Sequence, residues 1–151
     1  MHRADDRSFA APTETGTAPS ERIGAGYARP GTADHPAAPG TTAAVVDQFN
    51  QAWNDHDLSA ALALISEDCV FESTAPAPDG ARAVGKSAIR AAWAPIFADA
   101  SARFTIEESF SAGTRLVQRW RYDWSGGHIR GVDVIAVREG LVTEKLAYVK
   151  G

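Results

Sequence analysis

Four long strand-like runs occupy the C-terminal part of this 151-residue chain and constrain its fold more than any other feature. The runs are rich in β-branched and aromatic residues and span 103–112, 115–125, 128–138 and 141–150. Short glycine-containing links separate them: Ala112-Gly113, Gly126-Gly127 and Glu139-Gly140. Links this short are typical of β-hairpins and join antiparallel neighbours. The sequence therefore predicts a four-stranded antiparallel meander.

Helices and one short strand are predicted ahead of the meander. In chain order they are a helix from Thr41 or Thr42 to about Asn54, a shorter helix capped by Asp57, a strand over 69–74 and a helix over 87–97. Val45, Phe49 and Trp53 share one face of the first helix, and Pro95 should kink or end the last one. Helices followed by strands predict an α+β domain in which three N-terminal helices pack on a curved antiparallel sheet.

The first 40 residues differ from the rest in composition. They contain five of the eight prolines and only four large apolar residues, Met1, Phe9, Ile23 and Tyr27. Such a segment cannot bury enough apolar surface to offset the entropy lost on ordering. We therefore predict a disordered tail over 1–40 and one folded domain over 41–151.

Charge and cysteine content exclude several classes of protein. The net charge of −4 argues against a nucleic-acid binder, which needs a basic surface. No apolar stretch is long enough for a signal peptide or a membrane span, and the single cysteine, Cys69, suits a reducing cytoplasm. Neither a zinc-type Cys/His spacing nor a phosphate-binding loop is present. We therefore expect no metal, no cofactor and no membrane partner.

Hairpin counting predicts which side chains share a face of the sheet. With turns at Gly126-Gly127 and Glu139-Gly140, Asp133 lies opposite Trp120 and Leu146, and Glu144 is its diagonal neighbour. The more apolar face then includes Gln118, Trp120, Tyr122, Asp133, Glu144, Leu146 and Tyr148. Arg119, Arg121 and Arg130 are predicted on the opposite face.

The first hairpin permits two registers. A two-residue turn would place Thr105, Glu107 and Ser109 on the apolar face, whereas a three-residue turn would place Phe104, Ile106, Glu108 and Phe110 there. A slip of one residue reverses every side chain. We prefer the three-residue turn, which brings Glu108 onto the face that carries Asp133.

A carboxylate on an aromatic face is hydrogen-bonded, protonated or used in chemistry. Desolvation would favour the protonated form of Asp133, which suits a general acid and base, and Glu108 is a second catalytic candidate. Substrate contacts are predicted for Gln118, Trp120, Tyr122, Glu144, Leu146 and Tyr148. In the alternative reading Asp133 is structural and bonded to Trp120, Tyr148 or a loop amide.

Three segments, 49–58, 67–71 and 130–146, resemble the nuclear-transport-factor-2-like superfamily, and its SnoaL-like branch is nearest. The resemblance spans about 43–150 and implies a cone-shaped α+β barrel with an internal pocket, usually dimeric. The superfamily includes polyketide cyclases, ketosteroid isomerases and dehydratases as well as many non-enzymes. In its cyclases an Asp of the penultimate strand is the acid/base, and this role carries over to Asp133. Its epoxide hydrolases need an arginine in the pocket, which disfavours that activity here.

These observations predict a cofactor-independent enzyme of the cyclase, isomerase or dehydratase (lyase) type. It would act on a hydrophobic small molecule by proton transfer through Asp133. The alternatives are a non-catalytic ligand-binding or dimerisation module of the same fold, and an interaction scaffold with a filled cone. We also expect a homodimer, formed through the mixed outer face of the sheet.

Overall fold

The computed structural model describes residues 40–151 of the chain. The disordered tail predicted over 1–40 lies outside the described residues, Gly40 excepted, and it stays a prediction. The elements are α1 (Thr42–Asn54), α2 (Leu58–Ala63), β1 (Ile65–Glu72), β2 (Arg82–Val84), α3 (Lys86–Phe97), β3 (Arg103–Ala112), β4 (Arg115–Trp124), β5 (Gly127–Arg138) and β6 (Leu141–Val149). Within this part of the chain no helix is both long and apolar enough to cross a membrane.

Local capping chemistry fixes the helix starts that the sequence predicts. The Thr41 side chain accepts a hydrogen bond from the backbone N–H of Ala44, and Asp57 does the same for Ala60. Helix α3 continues for two residues beyond Pro95 and ends at Phe97. Both predicted caps are confirmed, and so is the order of the helices.

The sheet contains the predicted meander and two further strands. Its strand order is β2-β1-β6-β5-β4-β3, and all neighbours are antiparallel except β1 and β6, which are parallel. Strand β1 begins at Ile65, four residues earlier than predicted, because Ile65 pairs with Val142 of β6. The predicted α+β class with helices on a curved sheet is confirmed, with one parallel pair in a mixed, unclosed sheet.

The core lies between the helices and one face of the sheet, which we call the inner face. Phe49, Trp53, Trp93, Phe97 and Phe104 form a connected aromatic cluster, with ring centroids 4.7–6.1 Å apart. Burial of these large rings supplies much of the apolar surface removed from water.

The register between β5 and β6 differs from the prediction. Val137 pairs with Val142 as expected, but a bulge follows, and Asp133 then lies opposite Ala147 rather than Leu146. A bulge adds one residue to one strand and reverses the faces beyond it. Lys145 and Ala147 therefore occupy the inner face.

This bulge makes the predicted inner-face placement of three candidate residues wrong. Glu144, Leu146 and Tyr148 lie on the outer face, the side of the sheet away from the helices. Tyr148 is 57% exposed, and Glu144 forms an ion pair with Arg115 at 3.2 Å.

The β4–β5 hairpin turns two residues earlier than predicted. Trp124 pairs with Gly127, so Asp133 lies opposite Gln118, and Trp120 lies opposite Gly131. An even shift keeps every side chain on its predicted face. The Trp120 ring occupies the space beside Gly131, where a Cβ atom would collide with that ring and with the Tyr148 carbonyl oxygen. The gap expected above Gly131 is therefore filled.

Both registers considered for the first hairpin occur, one in each half of β3. Ile106 pairs with Trp120, as the three-residue turn predicts, but after a bulge at Glu107 the neighbouring Glu108 pairs with Arg119. The Glu108 side chain is 57% exposed and forms an ion pair with Arg119 at 3.0 Å. The prediction that Glu108 shares a face with Asp133 is therefore wrong.

Candidate functional site

A buried ion pair lies on the inner face of strands β5 and β6. Lys145 Nζ donates to Asp133 Oδ1 at 3.0 Å, and the two side chains are 7% and 2% exposed. The bulge in the β5–β6 ladder creates this pair, because it turns Lys145 inward beside Asp133. Opposite charges that lose water together need close geometry and further hydrogen bonds to remain stable.

Two amides complete the hydrogen bonding of this carboxylate. Gln118 Nε2 donates to Asp133 Oδ2 at 3.0 Å and to Asn50 Oδ1 at 3.1 Å. Asn50 Nδ2 donates in return to Gln118 Oε1 at 2.8 Å. Both carboxylate oxygens of Asp133 thus accept a hydrogen bond, and α1 is tied to the sheet through Asn50.

Sequence reasoning missed Asn50 and Lys145. Asn50 lies four residues after Val46 and three before Trp53, both buried, so it is a polar residue within the apolar stripe of α1. That interruption was a usable signal. Lys145 carried no comparable signal, because its inward orientation depends on the bulge.

Aromatic rings flank the ammonium group of Lys145. Its Nζ atom lies 5.3 Å from the ring centroid of Trp53 and 5.5 Å from that of Phe71. Rings at these distances attract a cation through their negative faces. Lys145 is therefore held by Asp133 and by the two rings.

A cavity of about 130 Å³ opens beside this ammonium group. Its wall is mostly aromatic and aliphatic and is formed by Trp53, Phe71, Ser73, Thr74, Ile96, Phe104, Trp120, Tyr122, Ile129, Lys145 and Ala147. Asp133 and Gln118 are not part of this wall, since they lie behind Lys145. The charged group that reaches the cavity is the lysine.

The sequence-predicted site residues therefore separate into three groups. Trp120 and Tyr122 line the cavity. Asp133 and Gln118 are buried and bonded to each other. The other four candidates, Glu108, Glu144, Leu146 and Tyr148, lie on the outer face.

Hydrogen-bond donors predominate around the cavity. The indole N–H groups of Trp53 and Trp120 are buried and have no acceptor within residues 40–151. Burial, and then the nearby charge of Asp99, raise the pKa of Tyr122, so its hydroxyl remains protonated. A ligand that carries an acceptor oxygen would complement this wall.

The outer face holds the arginines and their partners. Arg119 and Arg130 both contact Glu107, at 3.5 and 2.9 Å, and Arg121 pairs with Asp123 at 2.8 Å. All three arginines lie away from the cavity, as predicted. In the described range, His, Cys, Asp and Glu side chains do not gather into a group of three able to hold a metal ion.

Solved structures share this fold. An NTF2-like protein of unknown function from Mesorhizobium loti is 42% identical, with a TM-score of 0.68, and the match covers 78% of this chain and 98% of that one. RV0760c from Mycobacterium tuberculosis, solved in complex with estradiol-17beta-hemisuccinate, is 25% identical, with a TM-score of 0.61 and coverage of 71% and 92%. A computationally designed 17-OHP binder is 24% identical, with a TM-score of 0.63 and coverage of 72% and 90%.

A comparison with curated proteins gives no significant match. The sequence model of the SnoaL-like domain matches residues 46–145, which is more than half of the chain and includes α1, the sheet, the cavity wall and the Asp133–Lys145 pair. The predicted resemblance is therefore confirmed. The chain belongs to the SnoaL-like domain family, within the NTF2-like fold.

Proposed function

We propose that this domain binds a small, mainly apolar molecule in the cavity and moves a proton on it. The reaction would be that of a cofactor-independent isomerase, cyclase or dehydratase. The observation that carries the proposal is the Lys145 ammonium group, held at the wall of an aromatic cavity by the carboxylate of Asp133. A buried acid–base pair beside a cavity is the arrangement that proton transfer needs.

Lys145 would be the catalytic residue and Asp133 the residue that positions it and exchanges a proton with it. Lys145 Nζ would pass one proton to Asp133 Oδ1 and take one from a substrate carbon next to a carbonyl group. The negative charge leaves Asp133 and appears on the substrate oxygen, beside the reformed ammonium group. Stabilisation of charge that develops in the transition state is the larger part of such catalysis.

The complex of RV0760c with a steroid hemisuccinate supports a ligand-binding role, because that protein shares the fold at 25% identity. The cavity wall is consistent with such a role. Apolar surface surrounds a few polar groups, as is usual in small-molecule sites.

A non-catalytic ligand-binding module is the second candidate. One observation favours it, namely that both oxygens of Asp133 are already bonded and neither reaches the cavity wall. In that case the ion pair would only shape the cavity. Ligand affinity would then survive Asp133→Asn, and no chemistry would be lost.

Deuterium exchange separates the two candidates without knowledge of the natural substrate. Cyclohexanone is incubated with the protein in D₂O, and loss of its α-proton signal is followed by NMR. We expect exchange above the rate without protein, with a loss of about 10²-fold or more in Lys145→Met and in Asp133→Asn. Asp123→Asn, on the exposed outer face, is the matched control and should exchange like wild type.

Binding of the same probe is read from the indole N–H signals in ¹⁵N NMR spectra. Trp53 and Trp120 line the cavity, so their signals should shift on titration. Shifts without exchange would refute the catalytic proposal and support the ligand-binding module. Absence of any shift would count against both.

We also propose that the chain forms a homodimer through the outer face. Phe110 and Tyr148 are 60% and 57% exposed there. Sedimentation should show a dimer at tens of micromolar, and only monomer would contradict it. The cytoplasmic location stays a prediction.

A further inference from the structure

Lys145 has a chemical property that proton transfer alone does not use. Its primary amine lies at the wall of an apolar cavity, 3.0 Å from a carboxylate that can exchange protons with it. A desolvated lysine with such a neighbour is the arrangement in which amines attack carbonyl carbons.

We infer that Lys145 captures small aldehydes covalently, as a protonated imine, with Asp133 as the proton donor and acceptor of the step. The inference requires the cavity and the ion pair but not the proton-transfer activity proposed above. It assigns a further activity to the same lysine.

The step balances within the site. The ammonium group gives one proton to Asp133, and the free amine attacks the aldehyde carbon to form a carbinolamine. Asp133 returns the proton to the departing hydroxyl, which leaves as water while the nitrogen lone pair forms the C=N bond. The products are a protonated imine, an Asp133 carboxylate and one water molecule, and no oxidant or reductant is consumed.

The electrostatics of the site favour this product. The protonated imine carries the same positive charge as the ammonium group that it replaces, so the pair with Asp133 is retained. Trp53 and Phe71, which flank Nζ at 5.3 and 5.5 Å, attract either cation. The site therefore need not hold an unpaired buried charge after capture.

The cavity limits the size of the aldehyde. Its volume is about 130 Å³, and an apolar protein cavity of about 150 Å³ holds benzene. An unbranched aldehyde of about four carbons would fit with its carbonyl carbon at Nζ. A second, more polar cavity shares Ser73, Thr74 and Ala147 with the first, which places an approach on the side of residues 78–82.

The chain supplies its own controls, because it has three lysines in all, Lys86, Lys145 and Lys150. Lys86 lies at the surface, where its side chain is 32% exposed beside Glu67, and Lys150 is exposed. Intrinsic amine reactivity alone would favour these two accessible lysines. Selective modification of the buried lysine can then arise only from the site.

Reductive trapping tests the inference. Wild-type protein is incubated at pH 7 with butanal and cyanoborohydride, and the butyl adduct on each lysine is quantified by peptide mass spectrometry. The aldehyde concentration is raised until Lys86 or Lys150 reacts measurably. At lower concentrations we expect the yield on Lys145 to exceed that on either exposed lysine at least about tenfold. A yield on Lys145 equal to or below theirs would overturn the inference.

Variants test the role of Asp133. Asp133→Asn cannot take up the proton, so trapping at Lys145 should slow about 10²-fold and lose its dependence on pH around neutrality. Asp123→Asn should leave both unchanged. If Asp133→Asn does not fold, the wild-type yields still decide the inference, because they need no variant. Trapping at Lys145 without deuterium exchange of cyclohexanone would support the inference while refuting the proposed proton transfer.

Discussion

The two faces of the sheet use the same interaction in opposite surroundings. On the inner face, Lys145 and Asp133 pair with 7% and 2% of their side chains exposed. On the outer face, Arg121 and Asp123 pair at a similar distance, 2.8 Å, with 36% and 42% exposed. Water screens the outer pair and solvates either partner when the other is removed. The inner pair has no such alternative.

This difference indicates where charge serves stability and where it serves function. Exposed ion pairs contribute little to folding, so the outer network of Arg119, Arg130 and Glu107 is replaceable. A buried pair is often no more stable than apolar residues of the same volume. Its presence beside a cavity is therefore better explained by chemistry than by stability.

The largest effect is expected from removing one partner of the inner pair. Lys145→Met leaves the Asp133 carboxylate buried without its cation, and we expect a loss of about 3–5 kcal/mol in the free energy of unfolding. Urea denaturation measures it. The double variant Asp133→Leu/Lys145→Met should recover most of the loss, because no buried charge remains. A double variant as unstable as the single one would show that packing, not charge, sets the cost.

A smaller effect is expected from the amide that links α1 to this pair. Gln118→Leu removes the donor to Asp133 Oδ2 and leaves Asn50 without its partner side chain. Each buried group that loses its hydrogen bond costs about 1–3 kcal/mol. Urea denaturation at pH 7 measures the loss. A change no larger than that of an outer-face variant would contradict the network.

A buried acid without a cation sharpens the comparison. Burial raises the pKa of the Cys69 thiol to about 12, and the charges of Asp68 and Glu144 add to the shift. Since the folded pKa lies above the unfolded value, the stabilisation is complete below about pH 9 and is lost as the pH rises toward 12.

The unfolding free energy of wild type should therefore fall over this alkaline range more than that of Cys69→Ala. Chemical denaturation at pH 8, 9 and 10 measures both proteins. At pH 8 the thiol should also resist a disulfide reagent until the protein unfolds, because it is 1% exposed and protonated. Identical pH slopes for the two proteins would contradict the shift.

The smallest effect is expected on the outer face. Arg121→Gln and Asp123→Asn should leave the denaturation midpoint within experimental error at low protein concentration, since both groups are solvated. A marked loss of stability that grows with protein concentration would instead indicate that a second copy covers this face.

Much of the fold was predictable because it depends on local chemistry. Thr41 and Asp57 cap their helices through side chains three residues from their partners. The glycine-containing turns delimit β3 to β6 within about two residues of the predicted ends. The parallel β1–β6 pair joins distant segments, so no local pattern indicated it.

The sequence by itself determined the order of elements, the α+β class, the family and the inward placement of Asp133. Only the tertiary structure decided what Asp133 touches. The bulge in the β5–β6 ladder and the bulge at Glu107 each add one residue to a strand, turning Lys145 inward and Glu108 and Glu144 outward. The position of a bulge depends on packing across several strands and against α1, not on the residues of one hairpin. Because strand side chains alternate with a period of two, that single residue exchanged the predicted carboxylate neighbours of Asp133 for a lysine.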